Sequence, residues 1–195
     1  MADPIVLSGL PWPLPAHPEV ADALLSRWSQ PHRRYHDVRH LAECLTAAQL
    51  LGAGDDQMLA VWFHDAVHTN TPGQDEANSA ALVRRLLGRL VASDRIDEIV
   101  RLVLLTETHR PAAGDLPGAI VSDADLWILG SDPQRYAESV ADLRRERGLG
   151  ITAWRMVRRP QLLARLGQPI YFTPQGRRRE PVARGNLTTE LDALG

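Results

Sequence analysis

The sequence predicts an all-α fold, a compact helical bundle, and three observations carry that reading. Apolar residues recur three and four apart, the spacing of one helix face, through most of the chain. No stretch sustains the apolar–polar alternation of a half-buried strand, and 170–172 (IYF) is the one short extended candidate. Turn-forming glycines and prolines cluster between the periodic segments.

The elements follow in order. Residues 1–15 contain four prolines and read as a lead-in; residues 16–195 read as a single helical domain, C-terminal helices included. Ala21, Leu24, Leu25 and Trp28 form the first stripe, which Gln30-Pro31 ends because proline disfavours helix in the residue before it. A second helix is predicted over 36–51, with Val38, Leu41, Ala42, Leu45 and Ala48 inward and Gly52 and Gly54 stopping it. Asp55-Asp56 open a third, whose dense apolar part is Met58, Leu59, Val61, Trp62 and Phe63. After the turn-rich TNTPGQDE, helix formers return over about 76–91, and Ser93 is a candidate cap for RIDEIVRLVLLTETH. The loop RPAAGDLPG leads to AIVSDADLWILG. PQRYAESVADLRRERG and ITAWRMVRRPQLLARLG then read as helices, and Asn186 as the cap of a last one ending at Leu194.

Composition narrows the function classes. A chain of 195 residues, 44% of them hydrophobic, is long enough for a sizeable core. All 22 basic residues are arginine, which excludes Schiff-base chemistry on lysine and any phosphate loop that depends on lysine. Against 24 carboxylates the formal net charge is −2, which speaks against a predominantly electrostatic nucleic-acid binder. A single cysteine, Cys44, precludes an internal disulfide and reads as packing. With no 18-residue apolar span and no basic-then-apolar leader, the expectation is a cytoplasmic protein without membrane association. The basic run 177–179 reads as a charged loop, and the two charge-rich late helices suit a homodimer.

The histidines carry the chemical signal. Four of the seven form two pairs at i,i+4, His36/His40 and His64/His68, with Asp65 beside His64. On one helix His64, His68 and Asp65 fall at about 0°, 40° and 100°, so all three can face one cleft. A single such pair arises readily by chance on a helix surface; two pairs, one enclosing a His-Asp dyad, point to a divalent ion of intermediate hardness. Asp123 and Asp125 lie about 200° apart on a helix, so both cannot face the same site. Asp125 shares a face with Val121, Ala124 and Ile128, where a carboxylate is costly unless paired or metal-bound, and is therefore preferred.

RRYHDVRHLAECL, WFHDAVH, DEANSAAL, TETHR and SDADLWILG together resemble the HD-domain superfamily of metal-dependent phosphohydrolases, and more closely its small bacterial branch. IYFTP and EPVARGNLTTEL are similar to that branch too, so the resemblance runs from about residue 30 to the end. It implies a bundle of the HD-domain type. It also implies a divalent ion (Mn, Fe, Mg or Zn) held by His40, His64, Asp65 and Asp125, with room for a second. The implied activity is hydrolysis of a phosphate ester, such as a nucleotide or another small phosphomonoester, by metal-activated water. By position His36 would protonate the leaving group, His68 would act as a further catalytic histidine, and Glu76 would orient water or accept a proton. His109 would meet a second ion or the substrate phosphate, and Arg33, Arg34 and Arg39 would engage phosphate. The alternative is a noncatalytic, metal-containing module that senses nucleotides or regulates a partner.

Overall fold

The computed structural model describes residues 9–195, and the first eight residues of the expected lead-in lie outside them. The described residues form ten α-helices and no strand: α1 (Pro18–Trp28), α2 (Val38–Leu50), α3 (Asp55–Phe63), α4 (Gln74–Leu87), α5 (Ser93–Leu105), α6 (Leu116–Asp125), α7 (Pro133–Glu146), α8 (Ile151–Leu166), α9 (Pro174–Arg177) and α10 (Glu180–Ala193). A 3-10 turn, Leu126–Gly130, continues α6. None of these helices is long and apolar enough to cross a membrane.

Two apolar cores share the bundle. Helices α1 to α6 enclose the first, and α3 is its centre: all six residues from Met58 to Phe63 are buried, as expected of a helix apolar on every side. Trp62 stacks edge-on against Trp12 and donates its indole N–H to the Pro11 carbonyl at 2.9 Å, which docks residues 9–15 onto this core. The second core joins Tyr136 of α7, Trp154 and Leu162 of α8, Ile170, Tyr171, and Ala183 and Leu187 of α10. The 3-10 turn is the seam between them, with Trp127 packed on the first core and Leu126 and Leu129 on the second.

Several elements depart from expectation for identifiable reasons. Helix α2 begins at Val38, because Asp37 leaves the helix and accepts N–H bonds from Arg39 and His40 as the N-cap. Helix α3 stops at Phe63, so His64, Asp65 and His68 do not ride one helix. Helix α4 begins at Gln74, where Gly73 (φ +79°) caps it in a left-handed conformation that a Cβ would strain. Ser93 is the first residue of α5, and Ala92 occupies the cap position. The 170–172 segment forms no strand; its N–H groups go to carboxylates, those of Ile170 and Tyr171 to Glu180 and that of Phe172 to Asp123. Asn186 sits inside α10 and caps nothing, since its amide donates to the Leu129 and Ser131 carbonyls and ties α10 to the seam. Arg179 of the basic run stacks over Trp127 at 4.1 Å and donates to the Gly130 carbonyl.

Candidate metal centre

Three helix ends converge on the middle of the first core. The Asp37 cap fixes the first turn of α2 and directs His40 inward, the end of α3 delivers His64 and Asp65, and the end of α6 delivers Asp125. His40 and His64 are each 2% exposed, and their Nε2 atoms face each other at 3.4 Å. Asp125 Oδ1 lies 3.1 Å from His40 Nε2 and 3.4 Å from His64 Nε2, and Asp65 Oδ2 lies 3.2 Å from His64 Nε2. His64 donates its Nδ1 proton to the Val61 carbonyl at 2.7 Å, which aims the Nε2 lone pair into the cluster. Two imidazole nitrogens this close need a proton or a cation between them, since two lone pairs would repel. Burial by itself would lower the His64 pKa, but the Asp65 and Asp125 carboxylates override it and hold the imidazolium well above its ordinary range. Burial likewise acts to raise the Asp125 pKa, and the surrounding histidines drive it well below the carboxylate range instead. In chemistry and burial this set of nitrogen and oxygen donors fits a divalent ion.

A second cluster abuts the first. His36, Asp65 and His68 bring one donor atom each within 4.8 Å of one another. Behind them stands Glu146, the last residue of α7, with no exposed side-chain surface. Its Oε1 accepts from His36 Nδ1 at 2.5 Å and from His68 Nε2 at 3.1 Å, while Oε2 accepts the backbone N–H groups of Arg34, Tyr35 and His36. An ionised carboxylate only accepts, so each imidazole spends its proton there and turns its other nitrogen toward Asp65, at 3.9 Å in both cases. Burial lowers the His36 pKa; burial acts the same way at His68, but the bond to Glu146 together with the Asp65 and Glu146 charges outweighs it and raises the pKa. Glu146 itself would be raised by burial, but the His36 and His68 bonds hold it far below the carboxylate range.

The remaining expected site residues divide. His109 follows α5 with a left-handed backbone (φ +52°) and reaches Asp125 Oδ2 at 2.8 Å, so it joins the first cluster. Glu76 serves a local cap: its carboxylate accepts the Gly73 N–H at 2.6 Å and completes the cap of α4. Arg33 is buried, and its guanidinium donates to the carbonyls of His36, Asp65 and Ala66, which leaves it little to offer a phosphate. Exposed Arg39 pairs with Glu43 and Glu138. All three expected phosphate-binding arginines, Arg34 included, line a cavity of about 780 Å³ with Trp28, Asp37 and Trp127; the cluster histidines are not among its walls. Asp123 points away from the clusters and accepts from Phe172 N, Thr173 N and Thr173 Oγ1.

Two residues escaped the sequence reading. Cys44, taken there as packing, lies one turn after His40, with Sγ 3.5 Å from its Nδ1 and 3.6 Å from its Nε2, and joins His40, His64 and Asp125 as a potential ligand. Its i,i+4 spacing from His40 was the available signal. Glu146 gave no signal, because it meets the histidines only through packing of α7, 110 residues from His36 and 78 from His68.

No family model matches the chain, and no solved structure matches it. The ornithine carbamoyltransferase of Haloquadratum walsbyi is 34% identical over 113 residues, which cover 54% of this chain and 36% of that protein. The chain therefore spans little more than a third of the relative's length. Fold and site together define a compact all-α protein with two His/Asp clusters, one of them including a cysteine, geometrically suited to chelate a divalent metal ion.

Proposed function

We propose that the protein is a metal-dependent phosphohydrolase that cleaves the ester of a small phosphorylated substrate, a nucleotide or other phosphomonoester, in the cytoplasm. The observation that carries this reading is the buried His40–His64–Asp125 set with Asp65 facing both clusters. The motif order resembling HD-domain enzymes supports it, and the partial likeness to a carbamoyltransferase adds no residue to the site. When bound, a divalent ion supplies a water nucleophile at neutral pH and offsets negative charge on phosphoryl oxygens. His40, His64, Asp65 and Asp125 are its holders in this reading, and His109 orients the Asp125 carboxylate.

Hydrolysis forms a phosphorus–oxygen bond from water and breaks the one to the leaving alkoxide, which takes a proton. His36 is assigned that donation through Nε2, because Nδ1 is committed to Glu146. Burial makes its protonated form a readier donor. Purified protein assayed for bound metal and against a phosphoester panel tests the proposal. One or two ions per chain and turnover that vanishes in His64→Ala and Asp65→Ala are expected. Unchanged metal content and rate in both variants would overturn it. A bound ion with tight nucleotide binding and no turnover would favour the regulatory alternative.

A further inference from the structure

We infer that Cys44 is a ligand of the first cluster, giving the ion a sulfur donor that selects a thiophilic transition metal such as Zn²⁺ or Co²⁺ over Mg²⁺. This rests on the reading that the cluster binds metal, and adds which metals it takes and through which atom.

The sulfur belongs to the gathered donors. Cys44 follows His40 by four residues on α2, and both are turned to the interior, at 2% exposure each. The donor atoms of His40, Cys44, His64 and Asp125 lie within 4.8 Å of one another. Near-tetrahedral angles with bonds of about 2.05 Å to nitrogen or oxygen and about 2.3 Å to sulfur give edges of about 3.4 Å between nitrogens and about 3.6 Å between nitrogen and sulfur, and an expanded shell keeps room for Asp65 and water. The observed His40 Nε2–His64 Nε2 edge is 3.4 Å; Cys44 Sγ lies 3.6 Å from His40 Nε2 but also 3.5 Å from its Nδ1, so it stands beside the imidazole ring and reaches an ion on Nε2 after rotation about its Cα–Cβ bond. Those from Asp125 Oδ1 to the two imidazoles, 3.1 and 3.4 Å, fit the same frame.

Chemistry agrees with spacing. Two imidazoles, one carboxylate and one thiolate make a borderline-soft set; Mg²⁺ favours oxygen ligands in an octahedron and gains little from sulfur. A buried cysteine that merely packs behaves as a small hydrophobe. The Cys44 sulfur instead has an imidazole as its polar neighbour and, in the cluster, a second imidazole and a carboxylate. Ligation replaces the S–H proton, which leaves to solvent, by a bond from sulfur to the ion.

Co²⁺ is the probe, because its visible bands report binding and a separate near-ultraviolet charge-transfer band reports a thiolate ligand. Metal-stripped wild-type protein and Cys44→Ser are titrated with Co²⁺, then challenged with Zn²⁺ and Mg²⁺. The wild type is expected to show both bands. C44S should keep visible bands, lose the near-ultraviolet one, and bind Zn²⁺ more weakly by more than the roughly hundredfold upper end of an outer-shell loss, with Mg²⁺ affinity unchanged. Visible bands without the charge-transfer band in the wild type would overturn the sulfur ligand while leaving the metal centre intact, even if C44S failed to fold. No visible band at all would overturn the metal centre itself, and the sulfur ligand with it.

Discussion

His36 donates its Nδ1 N–H to Glu146 over 2.5 Å, although 110 residues of chain separate the two. The same carboxylate takes His68 and three consecutive backbone N–H groups, so one side chain of α7 holds the entry to α2 and the loop after α3 in a single arrangement. His36 and His68, beside the first core, are thus held by a residue whose helix contributes to the second.

Removing that carboxylate should be expensive. Glu146→Ala leaves three backbone donors and two imidazole N–H groups without their partner. At about 1–3 kcal/mol for each buried group left unsatisfied, and with water entering to meet some of them, a loss of about 3–5 kcal/mol in denaturant unfolding is expected. Glu146→Gln, which keeps one acceptor oxygen, should lose less. A variant as stable as the wild type would mean the carboxylate holds nothing.

The aspartates two residues apart on α6 should separate cleanly. Asp125→Asn should abolish bound metal and with it the stabilisation that an added ion confers, which for a ligand at a hundred times its Kd is about 2.7 kcal/mol. Asp123→Asn should melt earlier yet retain the ion, because its three bonds serve Phe172 and Thr173. Gly176→Ala should mimic it, since the new Cβ would stand 2.3 Å from Asp123 Oδ2. Metal content and melting temperature, measured on all three, decide the matter; an ion lost from D123N would reverse the assignment.

Helical periodicity made the all-α class legible, and most of the residues it turned inward on α1, α2 and α3 are buried, with Ala21, Leu25 and Ala42 only partly so. The gathering of His40, His64, Asp65 and Asp125 was legible as motif order rather than as geometry. The angular argument for His64 and His68 needed a helix that ends at Phe63, and their convergence comes from the loop. Glu146 and the Arg33 clamp were not legible, because a long-range contact between a charged side chain and distant backbone leaves no periodic trace. Glu76 illustrates the converse, a residue in a suggestive motif whose local cap claims its carboxylate.

Arg33 tests structural against substrate-binding arginines. Arg33→Ala should cost about 3 kcal/mol, because one buried and two part-buried carbonyls lose a charged donor, and should weaken metal binding by loosening Asp65. Arg34→Ala, at an exposed position, should change stability by less than about 0.5 kcal/mol. Calorimetric melts with metal titrations on both variants read the difference, and equal effects would refute the clamp.

Acid should loosen the loop that follows His68 through Asp75. This carboxylate accepts the Thr69 N–H at 2.8 Å, the Thr71 N–H at 2.9 Å and the Thr69 hydroxyl at 2.7 Å. Burial acts to raise its pKa, but the three bonds prevail and hold it below the ordinary aspartate value. The unfolded chain therefore binds this proton more readily than the folded one. The resulting stability is present in full above the unfolded value of about 3.9, and is lost as pH falls through the folded value beneath it. Asp75→Asn keeps one acceptor oxygen and removes the titration. It should be less stable than the wild type at neutral pH, by about 1–2 kcal/mol, and the gap should shrink below about pH 4. Unfolding free energies of the two proteins from pH 7 down to the acid limit measure that gap, and a difference that stays constant with pH would show that the Asp75 charge does not hold the loop.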